Sequence, residues 1–470
     1  MSIASPLPAY TPDRRAALVQ QLAGRDLPSL DTWLGGRAGT PAAIAAYLRY
    51  KPGTTAHTLS RDAWQTRLRQ VRAMWSYLGI GHTEVVALCA PLLPETQAAL
   101  WASALHGSVL LVDPLAPPEE AAAALRAAAC RVLVTAAPYP GLDLWARIEA
   151  LRPEVPSLKW IFQIDPASYL NRWQRTQAHL AMRRFGKAEP LPGQQIASFE
   201  GSLARFADEA LPDPSHAAGQ LHFATGAPAL DHAALLRMTL ALDALLPAVP
   251  VWLWGEPLNQ PAALVLQGLL PLGRGETLLC PTSAGLRDAG LRLDALQRQH
   301  PVGLVPCTPP HAAAVQAAGL PALVYGGRLP LRQRTHAAVF AWDGEGAAWA
   351  QAEALALPGY ELPRGETFAA QGRPYPVETV LTALESFAAV AEAALVARPD
   401  ASAGFVPVAF LQLAQGQRVD LPSLFQELKR LLPPDLLPPQ GLRIVDSLPR
   451  TLTGAVDVAR LQREEAARQG

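Results

Sequence analysis

Charge is scarce in this chain. Its 470 residues carry 40 Lys plus Arg against 40 Asp plus Glu, a charged fraction of 17%, below the usual share of about 25%. So balanced and charge-poor a chain has no electrostatic footprint for nucleic acid or for an anionic membrane. Cysteine is scarce too: Cys89, Cys130, Cys280 and Cys307 stand far apart and form no CxxC pair. That spacing speaks against a zinc site and a dense disulfide framework, and leaves free buried thiols in a reducing compartment as the expectation. No apolar run reaches the roughly 18 residues of a membrane helix, since Asp243, Pro247, Pro250 and Glu256 interrupt the candidates. The start, Met1 to Pro6, has no basic stretch followed by an apolar one and does not read as a signal peptide. The cytoplasm is the expected location. Also missing are a GxSxG elbow, HExxH, a Walker lysine loop and a GxGxxG after a strand, and the ten histidines, among them His222, His232 and His311, show no metal-ligand spacing and are expected in core or surface roles. A neutral small molecule or a protein is the more natural partner.

What is present is apolar residue in quantity, 50% of the chain, enough for a large core in two or three domains. From about residue 57 strand and helix signals alternate. Arg61 to Leu78 has apolar residues at helical spacing and stops at Gly79 and Gly81. Val85 to Cys89, Ser108 to Val112 and Arg131 to Val134 read as buried parallel strands, with helices from Thr96 to Leu105 and Pro118 to Ala129 between them. The expected fold class is α/β, a large N-terminal domain of layered parallel sheets and helices over 1–370. A polar, irregular stretch from Asp165 to Ser215 separates the first unit from one that begins at Leu221-His222-Phe223 and runs to Leu323-Val324-Tyr325. Over 371–470 the pattern is that of a small α+β domain. Its helices are expected at Pro376 to Phe387 and Leu421 to Leu432, its strands at Ala393 to Val396, Val406 to Phe410 and Gly441 to Val445. The abundance of Ala, Leu, Pro and Arg points to a GC-rich bacterial genome.

Three stretches stand out by their order and spacing. The first runs from Leu78-Gly79-Ile80-Gly81 through Val85 to Pro91, Pro94-Glu95 and Ala104 to Val109 to Asp113-Pro114. The second is Phe223-Ala224-Thr225-Gly226-Ala227-Pro228-Ala229. The third is the C-terminal domain, with Arg398-Pro399-Asp400, Gly404 and the segment Leu448-Pro449-Arg450-Thr451-Leu452-Thr453-Gly454-Ala455. Together they resemble the adenylate-forming superfamily of acyl-CoA synthetases, fatty acyl-AMP ligases and peptide-synthetase adenylation domains.

The resemblance implies ATP, Mg²⁺ and, for a CoA ligase, CoA as cofactors, and it also shows what has gone. Ala455 stands where family members carry the lysine placed between the substrate carboxylate and the α-phosphate. Ala229 stands for the phosphate-loop lysine. Thr225 and Gly226 remain from the loop that holds pyrophosphate, but most of its hydroxyls are absent; with Pro228, Gly226 also suffices for a plain turn. Gly326 and Gly327 resemble the turn that lines the adenine site, and Glu345 is the candidate remnant of the Mg²⁺-binding glutamate, or an acidic surface turn. Arg373 resembles the hinge-proximal arginine, or is an exposed linker residue. Trp252 and Trp254 fall beside the expected acyl pocket, in a segment without the family's histidine. No Thr-Gly-Asp for the ribose occurs, and the interval from Gly327 to Gly372 is short for the family's third subdomain.

These losses lead to an expected degenerate member: adenylation lost or strongly reduced, no certain cofactor, and a binding or scaffolding role in a lipid, aryl-polyene or polyketide-type pathway. A carboxylic acid or acyl group is the expected ligand, an acyl carrier protein or pathway enzyme the expected protein partner. The alternative is an active acyl-CoA or acyl-AMP ligase for a fatty or aromatic acid with a divergent site.

Overall fold

In a computed structural model the described residues are 26–35, 42–81, 83–139, 144–170, 175–176, 189–206, 219–224, 229–246, 248–325, 339–342, 369–370, 373–374, 377–400, 404–438, 442–450 and 456–468. The strands in chain order are β1 (Ala42–Ala46), β2 (His57–Ser60), β3 (Val85–Leu88), β4 (Ser108–Leu111), β5 (Val132–Ala136), β6 (Trp160–Ile164) and β7 (Gln195–Ser198). Then come β8 (Gln220–Phe223), β9 (Leu230–Asp231), β10 (Val251–Leu253), β11 (Thr277–Cys280), β12 (Val302–Cys307), β13 (Ala322–Tyr325) and β14 (Val339–Trp342). The last are β15 (Ala369–Ala370), β16 (Arg373–Pro374), β17 (Val390–Asp400), β18 (Gly404–Leu413) and β19 (Leu442–Val445).

Two seven-stranded sheets form the large domain, one in the order β7-β6-β5-β3-β4-β8-β9 and the other β14-β13-β12-β10-β11-β1-β2. Each is parallel except for one antiparallel edge strand, β9 or β2. Parallel strands need crossover helices, which cover both faces and explain the near-continuous apolar runs. The main core lies between the sheets, around the helices Arg61–Tyr77 and Pro94–His106 and the segment 261–274. Helix Pro94–His106 is buried on nearly every side, as a helix apolar all round must be. Separate clusters fill the outer faces, under helices Leu293–Gln299 and Pro309–Ala317 on one sheet and Pro118–Ala127 and Leu144–Leu151 on the other.

Helix Arg61–Tyr77 starts where Ser60 accepts a hydrogen bond from the Ala63 amide, satisfying one of the unpaired donors of the first turn. It stops before Gly79, whose φ of +65° is available cheaply to glycine.

The small domain packs helices Val377–Glu385 and Leu421–Leu431 on a sheet in the order β17-β18-β19. β17 and β18 are far longer than the expected strands, since they pair as one antiparallel ladder from Val390–Leu413 to Asp400–Gly404.

Two expectations are corrected. The alternation starts before residue 57: β1, alanine-rich and without β-branched bulk beyond Ile44, lies between β11 and β2. The stretch Asp165 to Ser215 does not divide units. It contributes β7 to the edge of the first sheet, and β8 beyond it pairs with β4 of that same sheet. All four cysteines are free and buried, and no helix among the described residues is long and apolar enough to cross a membrane.

Candidate functional site

In open α/β sheets, ligands bind at the carboxyl ends of the strands. Here those ends belong to two sheets that meet. Beyond β3, the Leu92 amide donates to the Ser283 carbonyl beyond β11 at 3.0 Å. Beyond β4, Asp113 accepts two hydrogen bonds of 2.8 Å from Arg287 and one of 3.2 Å from Asn259. Gly285 makes this junction feasible: its φ is +61°, and a Cβ there would lie 2.0 Å from the Gly255 carbonyl oxygen. The bare backbone therefore lies against Gly255, where the Leu286 amide donates to that carbonyl at 2.7 Å, and Arg287 is delivered to Asp113.

Behind the junction is a second polar group. Glu256, 2% exposed, places Oε1 where it accepts from the Thr308 amide at 3.0 Å and the Thr308 hydroxyl at 2.7 Å, with His311 Nδ1 at 2.6 Å. Gln267 fixes the segment from the other side. Its Oε1 accepts from the amides of Gly255 and Glu256, each at 2.9 Å, and its Nε2 donates to the Tyr325 hydroxyl at 2.7 Å. Gln267 lies in a π-helical turn, Val265–Leu269, a form that recurs at functional sites. Burial, with Glu256 nearby, pushes the Tyr325 phenol well above its ordinary range. Three strand ends thus converge on one network: β10 through Glu256, β12 through Thr308 and His311, β13 through Tyr325.

A third group sits beyond β3, β6 and β7. Glu95 is buried and pairs with Arg67 and the Tyr169 hydroxyl, while Glu200 accepts from the Asp165 amide at 3.2 Å. Burial, and then the Glu95 carboxylate, push the Glu200 carboxyl up to about 7.

The expected site residues divide sharply. Thr225, Gly226, Gly326, Gly327, Glu345 and Ala455 lie outside the described residues. Ala229 is exposed just before β9, and Arg373 lies in β16, paired with Ala370 of β15. Trp252 and Trp254 are both 0% exposed; the first donates to Glu276 Oε2 at 2.5 Å, the second to the Glu256 carbonyl at 3.2 Å. Their indoles are core. The Trp252–Leu258 segment lacks a histidine, yet the fold supplies one from elsewhere, since His311 reaches Glu256 across 55 residues of sequence. No local spacing signals that pair. No group of His, Cys, Asp and Glu among the described residues is arranged to hold a metal ion.

The sequence has four lysines, Lys51, Lys159, Lys187 and Lys429. Lys51 precedes β2, Lys159 precedes β6 at its amino end, and Lys429 lies over the Phe425 ring at 5.2 Å. The described arginines nearest the strand ends have protein partners: Arg287 has Asp113, Arg67 has Glu95, and Arg147 donates to the carbonyls of Leu115 and Ala116.

The AMP-binding enzyme C-terminal domain family matches residues 377–455. No curated protein matches the sequence. Among solved structures, the chain is similar to the amide bond synthetase McbA from Marinactinospora thermotolerans, at 14% identity and a TM-score of 0.63 over 93% of this chain and 98% of that one. ATP-bound MatB from Rhodopseudomonas palustris aligns at 14% identity and a TM-score of 0.61, over 94% of this chain and 100% of that one. The anthranilate CoA ligase AuaEII in complex with anthranoyl-AMP aligns at 14% and 0.63, over 96% and 98%. The chain has the fold of the adenylate-forming enzymes and carries their AMP-binding C-terminal domain.

Proposed function

We propose that this protein keeps the adenylate-forming fold while acyl adenylation is lost or strongly reduced, and that it binds a carboxylic acid or acyl group. On this reading it serves a lipid, aryl-polyene or polyketide-type pathway in the cytoplasm, beside an acyl carrier protein or a pathway enzyme. The observation that carries it is the lysine count. From 371 to 470 there is one lysine, Lys429, on helix Leu421–Leu431, with its ammonium over an aromatic ring. Ala455 and Ala229 hold the positions where the family places its two. One lost cation at a charged transition state commonly costs about 10² to 10³ in rate, or about 3 to 4 kcal/mol. Such losses do not add simply, but two leave little. The described arginines nearest the strand ends, Arg287, Arg67 and Arg147, are already engaged with protein partners.

A second reading, an active acyl-CoA or acyl-AMP ligase using ATP, Mg²⁺ and CoA through a divergent site, draws support from the likeness to ATP-bound MatB and to the anthranoyl-AMP complex. Titration calorimetry with ATP and Mg²⁺, and pyrophosphate release with a panel of fatty and aromatic acids, decides between them. The degenerate reading expects neither micromolar binding nor carboxylate-dependent release; either result would sink it.

A further inference from the structure

We propose that His311, held by Glu256, is a hydrogen-bond acceptor that recognises a hydroxyl or amino group on the bound carboxylic acid. The inference rests on the reading that the chain binds such an acid. The Thr308 amide can only donate, so Glu256 Oε1 is an acceptor, and the imidazole nitrogen facing it at 2.6 Å carries the ring proton. For the neutral ring that fixes the tautomer: Nδ1 is the donor and Nε2 presents its lone pair. Nε2 makes no hydrogen bond to a described residue. The His311 side chain is 23% exposed while the Glu256 side chain is 3% exposed, so the carboxylate is sealed in and the imidazole looks out.

The supporting frame is heavy for a purely structural pair. A buried carboxylate is costly to place, and this one is held by Thr308 and His311 on a backbone segment whose two amides the π-turn glutamine clamps. Such a frame holds one imidazole nitrogen at a fixed point at the carboxyl ends of β10 and β12. A site of this kind discriminates by what an isostere leaves unmade. A methyl group in place of a hydroxyl removes the donor at nearly constant volume, and the bare lone pair then loses both water and partner.

The test uses the full chain and isosteric probes. Affinities for 3- and 4-hydroxybenzoate are compared with those for 3- and 4-toluate by calorimetry. The wild type is expected to favour one hydroxy acid over its methyl isostere by about tenfold or more. His311→Leu is expected to bring that ratio to near one, and His311→Gln, which keeps an acceptor, to restore part of it. A wild-type ratio near one, or a ratio that survives in His311→Leu, overturns the inference while leaving acid binding intact. Failure of every benzoate to bind overturns the ligand reading as well. Independently of any variant, diethyl pyrocarbonate modification of the wild type, mapped by mass spectrometry, is expected to mark His311 and to be blocked by the preferred hydroxy acid. Modification unaffected by that acid counts against the proposal.

Discussion

Asp113 and Arg287 lie 174 residues apart in sequence and meet through two parallel hydrogen bonds of 2.8 Å. One residue follows β4 of the first sheet, the other follows β11 of the second, so this bidentate pair ties the carboxyl ends of both sheets together. Planar matching of guanidinium and carboxylate makes the contact directional as well as strong.

Removing one partner is expected to hurt more than removing both. Arg287→Met leaves Asp113 buried with Asn259 and the Leu115 amide as its remaining donors, at a cost of about 3 kcal/mol. Adding Asp113→Asn should recover part of it. Urea unfolding of the two single variants and the double variant checks this; additive losses would refute the coupling.

Gln267 serves three groups with one side-chain amide. Gln267→Met removes the acceptor for the Gly255 and Glu256 amides and the donor to Tyr325, leaving buried polar groups unpaired. The expected loss is about 3 kcal/mol, read from the denaturation midpoint at constant slope. A loss below about 1 kcal/mol would mean that these groups find other partners.

Glu200 predicts a pH dependence. Its carboxyl is pushed up to about 7 from 4.5, by burial and by Glu95, while Asp165 and Arg67 also act on it through charge. The folded chain holds this proton where the unfolded chain has released it, so the group makes stability fall as pH rises from about 4.5 to about 7. Below that window it has no effect, and above it the penalty is constant. Glu200→Gln keeps an acceptor for the Asp165 amide and should be more stable than wild type at pH 8, by on the order of 2 to 3 kcal/mol. Below pH 4.5 the two should converge. Parallel stability curves across the window would refute the assignment.

The thiols should be silent. Burial pushes Cys89 and Cys130 up to about 12, and moves Cys280 and Cys307 upward as well. A thiolate is the reactive form, so Ellman's reagent is expected to label none of the four rapidly in the native protein and all four in denaturant. A fast native fraction would show that one of them reaches solvent.

Restoring both lysines, as Ala455→Lys with Ala229→Lys, should leave pyrophosphate release at background. The Thr-Gly-Asp carboxylate and most phosphate-loop hydroxyls are absent from the sequence as well, and groups that act as a unit fail as one. A rise of tenfold or more would favour the divergent-ligase reading instead.

Much of the fold could be read along the chain. Val85–Leu88, Ser108–Leu111 and Val132–Ala136 are buried apolar runs between helices, of which Pro94–His106 has both a proline start and a glycine stop, and they form the strands expected of them. β1 escaped because alanine carries little strand preference; its neighbours β11 and β2 make it a strand. β7 escaped because Gln195-Ile196-Ala197-Ser198 is polar and sits at a sheet edge. The polar network escaped for a different reason. Glu256, Gln267, His311 and Tyr325 come from separate elements, and only the junction of strand ends makes them neighbours. Resemblance pointed instead to loop residues such as Thr225, Gly226, Gly326 and Gly327, which lie outside the described residues.

The π-turn at Val265–Leu269 carries one further implication, for insertions and deletions. A π-turn holds one residue more than an α-helix allows over the same rise, and each residue added or removed rotates the rest of the helix by about 100°. Deleting a single position there would convert the segment into ordinary helix and swing either Gln267 or the Leu270–Arg274 helix off its present face. Where it is Gln267 that turns, a change in chain length by one disconnects Glu256 and Tyr325 from their shared amide without substituting any residue that touches them. In this protein the spacing of that helix is itself a heritable part of the site.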